Sequence, residues 1–401
     1  MARTLYIWQQ THWPEFGIDQ AALAAPIALA RQEQGKVLSL FRAIGLPGEP
    51  DVVREIWTGE AMATAAIEGE KLDFEAVRSS VMRRLGLEDP IGGRVSRNVD
   101  GLLDVMQDAT NSYQQKLDDD RLRRWQSALF PGGSSGIRRI VVGKYRDSRD
   151  PMQIVSRPMG HEKVHYEAPK TSDVPREMRR FLKWLEDSRP RHKNKAAMDG
   201  IVRAAIAHLW FETIHPFEDG NGRVGRAIVD MMLAQDVDSS QRFYSISRQL
   251  MAERKAYYDS LGAAQQGTLD VTEWASFFLT QFRLACVTSQ QVISTAIEKN
   301  RFWATHALHA INARQRKVLM RLLDAGDGGF QGGMSAEKYG NLTGASKATS
   351  TRDLGELLKF GLLVATGQGR GTRYWVNVPG WSLSDAPTPD DTGRSLFVKR
   401  K

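Results

Sequence analysis

The chain has 401 residues, of which 41% are hydrophobic and 25% are charged, and its formal net charge at pH 7 is +8. This composition is typical of a globular protein, and the length predicts two or three domains. No apolar run approaches the ~20 residues that cross a bilayer, and the N-terminal segment becomes polar too early for a signal peptide, so we expect a cytoplasmic protein without a membrane span.

The first part of the chain is predicted to be helical, with one β-hairpin after it. Apolar residues recur at helical spacing in five segments, at residues 18–44, 51–67, 73–85, 95–117 and 119–129. The aromatic residues Trp8, Trp13 and Phe16 precede these segments and are a candidate surface for self-association into a homodimer. Further on, the runs 137–142 and 153–155 contain several Ile and Val residues in a stretch punctuated by Gly and Pro, which predicts a β-hairpin.

Helical periodicity then resumes. It predicts helices at 175–186, 195–213, 221–235, 249–266 and 272–287, and a helical connector at 289–310. The single cysteine, Cys286, lies among apolar residues, so we expect a small buried side chain rather than a nucleophile. The predicted fold class is therefore mainly α, a helical core with an inserted β-hairpin.

The last hundred residues carry most of the positive charge, with 15 Lys and Arg against 8 Asp and Glu in residues 301–401. Predicted helices at 315–325, from 335, and at 346–360, then a hairpin at 362–376, follow the order of a winged helix-turn-helix domain. Lys347, Arg352 and Lys359 fall on its recognition helix, and Arg370 and Arg373 on the wing. Basic residues at these positions favour contact with DNA phosphates and docking to a protein equally, so DNA and protein are both candidate partners.

One segment concentrates the chemistry of the chain, and it reads His215-Pro216-Phe217-Glu218-Asp219-Gly220-Asn221-Gly222-Arg223-Val224-Gly225-Arg226. Pro216 disfavours the helical region for His215, so the imidazole is displayed where the preceding helix ends. Glycines on both sides of Asn221 allow consecutive N–H groups to form an anion-binding nest at a helix N-terminus. Arg223 and Arg226 oppose the dipole of that helix unless an anion is bound. The residues therefore predict a polyphosphate site beside a base.

Two other phosphate or metal sites are disfavoured. The Walker-type pattern G-x-x-x-x-G-K-[ST] does not occur in the chain. A hydrolytic metal site built from His208, His215 and Asp219 does not have the spacing of a zinc-binding helix, and Pro216 separates these residues from a common helical face.

The segment matches every specified position of the Fic-family pattern H-x-F-x-[DE]-G-N-G-R-x-x-R, so the chain resembles that family. The resemblance implies a protein adenylyltransferase that transfers AMP from ATP to a Ser, Thr or Tyr hydroxyl of a target protein. It implies that His215 is the general base and that Asp219 holds Mg²⁺. The phosphates would be cradled by the backbone of Gly220, Asn221 and Gly222 and by the side chain of Asn221, and held by Arg223 and Arg226.

Two further segments resemble parts of the family outside the loop. Residues 143–168 resemble the hairpin, or flap, that positions the target. Residues 254–267 resemble the helix that closes the nucleotide pocket, and within them Tyr257, Tyr258 and Gln265 match adenine-lining positions.

An inhibitory element is also implied. Thr64-Ala65-Ala66-Ile67-Glu68-Gly69 matches the family's inhibitory pattern [ST]-x-x-x-E-[GN] at the end of a predicted helix. Glu68 is thus expected to pair with Arg226 and keep it from the γ-phosphate. The same glutamate could position a water that removes AMP from a modified protein, and the sequence does not choose between the two directions.

The predicted domains are an N-terminal helical region with the inhibitory helix (1–110), a Fic catalytic core with its flap (111–288), a linker helix with a winged-helix domain (289–378), and a flexible tail (379–401). One alternative is a nucleotide-sensing transcription regulator, but an intact His215 and Asp219 favour an enzyme. A second is transfer of phosphate, UMP or phosphocholine. The Gly-Asn-Gly-Arg nest and the second arginine suit a triphosphate and favour AMP.

Overall fold

The computed structural model describes residues 6–43, 50–87, 96–148, 150–156, 163–190, 198–327 and 329–382. The chain divides into two compact units, Met1–Ile293 and Ser294–Lys401. The helices are α1 (Gln20–Ala43), α2 (Pro50–Ile67), α3 (Phe74–Arg84), α4 (Arg97–Asn111), α5 (Asp119–Leu129), α6 (Val174–Asp187), α7 (Gly200–Ile214), α8 (Asn221–Val237), α9 (Ile246–Ala252), α10 (Arg254–Gln265), α11 (Thr272–Thr305), α12 (Ala313–Asp324), α13 (Ala336–Thr343) and α14 (Lys347–Lys359). The strands are β1 (Ser134–Ser135), β2 (Arg138–Arg139), β3 (Gln153–Ser156), β4 (Lys163–Glu167), β5 (Leu363–Thr366) and β6 (Arg373–Val376).

The predicted fold class, mainly α with an inserted hairpin, is confirmed, and two helix boundaries are corrected. The single helix predicted at 249–266 is two, because Glu253, with φ −108° and ψ 35°, leaves helical geometry between α9 and α10. The helices predicted at 272–287 and 289–310 form the one helix α11, since neither Gly nor Pro interrupts the sequence where we placed the break. Cys286 is buried, as predicted.

The hairpin predicted within residues 143–168 is the antiparallel pair β3–β4, in which Ile154 lies opposite Tyr166. The prediction that the run 137–142 is a strand of this hairpin is wrong. Only Arg138 and Arg139 are in a strand, opposite Ser135 and Ser134.

The first unit is built around α7, which is buried along its whole length and packs against α8. Asp199 caps α7 by accepting from the backbone N–H of Ile201 at 2.8 Å. The middle of α2 is held against the start of α9, because the buried Glu60 accepts from Ser245 Oγ at 2.7 Å and from Ser247 N at 3.1 Å. The start of α7 and the middle of α2 are therefore each fixed by a carboxylate that accepts backbone N–H groups.

The described residues of the second unit form the C-terminal part of α11, then α12, α13, α14 and the β5–β6 hairpin in the predicted order, with an isolated β-bridge between Met334 and Tyr374. Its core includes Leu319, Leu322 and Leu354. That this unit is a winged helix, and whether it meets DNA or protein, stay predictions. The helix α14 carries Lys347, Arg352 and Lys359, and Arg373 is the first residue of β6. The side chain of Arg370 is not among those that the structure describes.

The predicted tail lies outside the described residues from residue 383 onward. Within the described residues, no helix combines the length and the apolar character needed to span a membrane.

Candidate active site

A cavity of about 740 Å³ lies beside the turn between α7 and α8. Its wall combines the predicted catalytic loop with three other elements: the end of α2, the β3–β4 hairpin and α10. The predicted site residues in this wall are His215, Asp219, Gly220, Asn221, Gly222, Glu68, Tyr257, Tyr258 and Gln265. Residues that lie far apart in the sequence are thus brought to one concave site.

His215 ends α7 in the left-handed region, with φ 50° and ψ 60°, and its side chain is 17% exposed. The chain therefore leaves the helix at the residue before Pro216, as expected. Burial, and then the nearby Arg146, lower the pKa of His215 to about 4, against the opposing effects of Glu212, Glu68 and Asp219. The imidazole is neutral at pH 7 and able to accept a proton.

The loop after His215 is held by its own side chains. Phe217 is fully buried, and its backbone N–H donates to Asn221 Oδ1 at 2.9 Å. Asn221 Nδ2 donates in turn to the carbonyl of Phe217 at 2.8 Å. Our expectation that the Asn221 side chain cradles phosphate is corrected, because both of its polar atoms bind the loop. The backbone N–H groups at the start of α8 are left for an anion.

Glu218 connects the loop after His215 to the run 137–142. Its Oε2 accepts from the backbone N–H of Val141 at 2.9 Å, and its Oε1 accepts from Arg138. The carbonyl of Val141 accepts from Gln126 at 3.3 Å. The end of the run therefore supports the loop after His215 instead of continuing as a strand, which explains the error in the predicted hairpin.

The ion pair expected between Glu68 and Arg226 is present. Arg226 is 1% exposed, and its Nη2 donates to Glu68 Oε1 at 2.7 Å. Its Nε donates to Thr64 Oγ1 at 2.6 Å, and Nη2 also donates to the carbonyl of Thr64 at 3.0 Å. Burial lowers the pKa of Arg226, but the attraction of Glu68 and its neighbours outweighs it and raises the pKa above the ordinary value. The guanidinium is charged and occupied by the end of α2.

The carboxylate of Glu68 also lies against the first turn of α8. A Cβ at Gly222 would stand 2.1 Å from Glu68 Oε1, so only glycine allows this approach. The N-terminal turn of a helix is where its dipole favours an anion. Glu68 thus sits where the sequence predicts phosphate.

A second acidic residue, Glu70, was missed by sequence reasoning. Its Oε2 lies 2.9 Å from Arg223 Nη1, and the Arg223 guanidinium also stacks on the ring of Phe130 at 4.8 Å. Gly69 has φ 79°, and this left-handed residue reverses the chain so that Glu68 and Glu70 both reach α8. The sequence signal, an acid on each side of a helix-ending glycine, is visible but does not specify its partners.

The three residues matched to an adenine pocket all line the cavity but differ in their contacts. Tyr257 is buried, and its hydroxyl lies 2.8 Å from His208 Nε2. Tyr258 donates to the carbonyl of Ile67 at 3.2 Å. Gln265 is 2% exposed, and its Nε2 has no partner among the described residues. Gln265 therefore offers an unpaired donor to a ligand in the cavity.

The residues fit one hard cation held by a single carboxylate. Asp219 lines the cavity and is 39% exposed. Mg²⁺ in nucleotide sites takes one or two carboxylates, with water and phosphate as the other ligands. The described residues contain no group of three or more His, Cys, Asp or Glu that could hold a metal. His208, the remaining residue of the hydrolytic alternative, is fully buried, and its Nε2 lies 2.8 Å from the hydroxyl of Tyr257.

Family comparison agrees with the motif. Residues 116–233 match the Fic/DOC family, and residues 6–87 match a domain of unknown function called DUF4172. The chain therefore carries a Fic/DOC domain, and the resemblance stated from the sequence is confirmed.

Two curated proteins each match part of this chain. A "Probable protein adenylyltransferase" from Aquifex aeolicus is 30% identical over 108 residues, which are 27% of this chain and 29% of that protein. "Protein adenylyltransferase Fic" from Drosophila melanogaster is 26% identical over 175 residues, 40% of this chain and 32% of that protein. The chain thus spans about a third of the length of these curated relatives. The crystal structure of a Fic family protein from Desulfovibrio desulfuricans matches 91% of this chain and 98% of its own, with a TM-score of 0.53 and 20% identity, which shows a shared fold.

Proposed function

We propose that this protein is an adenylyltransferase that moves AMP from ATP to the hydroxyl of a Ser, Thr or Tyr in a target protein. One observation carries the proposal: the neutral His215 imidazole and the start of α8, at Asn221 and Gly222, border the same cavity. Arg223 and Arg226 follow on α8 but are not part of the cavity wall. A base beside a polyphosphate site suits nucleotidyl transfer. The names of the curated relatives support an enzyme over the nucleotide-sensing regulator.

The proposed reaction needs one proton acceptor and stabilisation of phosphate charge. His215 takes the proton of the target hydroxyl, the oxygen bonds to the α-phosphorus, and the bond to the β-phosphate oxygen breaks, releasing pyrophosphate. The N–H groups at the start of α8, with Arg223 and Arg226, hold the negative charge of the phosphates. Asp219 would hold Mg²⁺, which when bound neutralises charge on the phosphate oxygens.

The resting protein is proposed to be restrained by its own α2. Glu68 and Glu70 pair with the two arginines that the phosphates need, at 2.7 Å and 2.9 Å. ATP then binds without its full set of contacts and is misplaced for attack, and misplacement of about 1 Å can cost ~10²-fold in rate. Release of the segment after α2 would switch transfer on.

The experiment that tests the function compares the parent, Glu68→Gly and His215→Ala in a cell extract, with ATP labelled at the α- or the γ-phosphate. Protein labelling from α-labelled ATP, raised by Glu68→Gly and absent in His215→Ala, supports AMP transfer. Labelling from γ-labelled ATP alone identifies phosphate transfer and contradicts the proposal. Mass spectrometry of the labelled protein identifies the acceptor residue. Release of AMP from that product by the parent, and not by Glu68→Gly, would add the reverse reaction.

A further inference from the structure

A buried arginine, Arg146, lies behind the proposed base. Its side chain is 4% exposed and forms no ion pair within the described parts of the chain. Its guanidinium binds oxygens of uncharged groups: Nε donates to the carbonyl of His215 at 2.9 Å, and Nη1 donates to Thr171 Oγ1 at 2.8 Å. Nη2 donates to the carbonyls of Pro169 and, at 3.4 Å, of Ile214. Every side-chain nitrogen of Arg146 is therefore satisfied without a carboxylate.

A buried cation without an acidic partner is unfavourable unless other groups compensate for the lost water. Burial lowers the pKa of Arg146 to about 10, so it is still charged at pH 7. Two of its acceptors, the carbonyls of Ile214 and His215, belong to the C-terminal end of α7. The last carbonyls of a helix lack intrahelical donors, and the helix dipole favours a cation there. The end of α7 thus explains why a charged side chain is stable at this position.

The same contacts fix the backbone of the base. His215 has φ 50°, a conformation that a residue with a Cβ adopts only when its surroundings impose it. Arg146 binds the backbone before and after the ring of Pro216. Its Nε donates to the His215 carbonyl, and its backbone N–H donates to the Pro216 carbonyl at 2.9 Å. At its far end Arg146 holds Pro169 and Thr171, which follow β4. Arg146 therefore connects the base to the foot of the β3–β4 hairpin.

We infer that Arg146 is a positioning residue that holds His215 in its left-handed conformation and aligns its imidazole with the cavity. The expected effect of Arg146 on the AMP-transfer rate rests on the proposed function, whereas its expected effect on the pKa of the His215 imidazole does not. The charged groups that act on the imidazole are Arg146, Glu68 at the end of α2 and Asp219 of the loop, and the backbone of Glu212 acts on it through a hydrogen bond.

The kinetic test is made in the Glu68→Gly protein, with Arg146→Met, Arg146→Lys and Thr171→Val. Arg146→Met should lower kcat for AMP transfer about 10²-fold and change the KM for ATP by less than about 3-fold, because an oriented base is lost and the nucleotide contacts are kept. Lysine keeps the charge but not the planar fork, so Arg146→Lys should recover part of kcat. Thr171→Val removes the Nη1 contact, which involves neither His215 nor α7, together with the bond from the Thr171 hydroxyl to the carbonyl of Ser148, and its rate should stay within about 3-fold of its parent. A kcat for Arg146→Met within about 3-fold of its parent overturns the inference.

A second measurement does not depend on AMP transfer. The imidazole of His215 is titrated by NMR in ¹⁵N-histidine-labelled protein and assigned by its absence in His215→Ala. Arg146→Met removes a positive charge that lowers the pKa of His215, so this pKa should rise, whereas in Arg146→Lys it should stay near that of the parent. If Arg146→Met does not fold, as shown by its thermal melt, Arg146→Lys carries the test through its lower kcat. An unshifted titration in a folded Arg146→Met protein contradicts the inference even if no variant transfers AMP.

Discussion

The carboxylate of Glu68 lies 2.7 Å from the guanidinium of Arg226, a residue 158 positions later in the chain. This contact occupies Arg226 at the turn of α8 where the phosphates are expected. Arg226 Nη1 has no partner among the described residues, so the restrained arginine keeps one unused donor. The Glu68–Arg226 ion pair, which we propose restrains the enzyme, therefore lies at the proposed phosphate site.

Thr64 is expected to strengthen this restraint. Its hydroxyl accepts from Arg226 Nε at 2.6 Å, and a hydrogen bond to a charged group contributes about 1.5–3 kcal/mol. Because the Glu68 pair and the Thr64 carbonyl contact still hold Arg226, Thr64→Val should release only about 1 kcal/mol of the restraint and raise the AMP-transfer rate about 3- to 10-fold, less than Glu68→Gly does. Thr58→Val is the matched control: Thr58 is also buried on α2, but its hydroxyl has no partner among the described residues. Equal rates for the two variants would contradict a role for the Thr64 hydroxyl.

Glu70→Gln should raise the AMP-transfer rate less than Glu68→Gly does, by about 2- to 5-fold. The side chain of Glu70 is 30% exposed, and partly exposed ion pairs are weaker than buried ones. Glu55→Gln is the control, because Glu55 lies on α2 and pairs with Arg248 at 3.7 Å, at a surface position outside the cavity wall. A parent-like rate for Glu70→Gln would assign the restraint to Glu68 alone.

The pH dependence should report the lowered pKa of His215. Protonation removes the base, so kcat must fall as the pH decreases through the pKa, which is about 4 instead of the ordinary 6.5. Glu68 raises this pKa, so in Glu68→Gly the fall should not move to higher pH. We expect kcat of that variant to be nearly constant from pH 7 to pH 5.5, with circular dichroism to verify folding. Half-maximal activity near pH 6.5 would show that the imidazole is not shielded from water as the structure indicates.

Gln265 should contribute to nucleotide affinity through its unpaired Nε2. Gln265→Leu removes this donor from the cavity wall, and loss of one hydrogen bond of about 1 kcal/mol predicts a KM for ATP about 5- to 10-fold higher. Gln249→Leu is the control, since Gln249 Nε2 is bound to Gln281 at 3.0 Å and neither residue lines the cavity. An unchanged KM in Gln265→Leu would place the base of the nucleotide elsewhere in the cavity.

The sequence predicts the helices and the loop well because both depend on local signals. Apolar spacing locates α5 at its observed bounds, and the pattern from His215 to Arg226 requires only neighbouring residues. The pairing of Glu68 with Arg226 was also predicted, but only through the family's inhibitory pattern.

The remaining contacts depend on tertiary packing. Arg146 is 69 positions before His215, and no spacing rule connects a cation with the carbonyls it will bind. Four of the six residues in the run 137–142 are β-branched and favour a strand, yet Glu218 and Gln126 bind the backbone groups of Val141. The side chain of Asn221 was assigned to phosphate, whereas its geometry assigns it to Phe217.

The most direct test of the central claim is the initial rate of protein labelling from α-labelled ATP in the parent, Glu68→Gly and Glu68→Gly/His215→Ala proteins. The structure predicts a rate for Glu68→Gly that is about 10- to 100-fold above the parent, since a charge-assisted bond of about 1.5–3 kcal/mol no longer holds Arg226. The double variant should show no labelling above background. A Glu68→Gly rate equal to that of the parent, or labelling that persists without His215, would contradict the account.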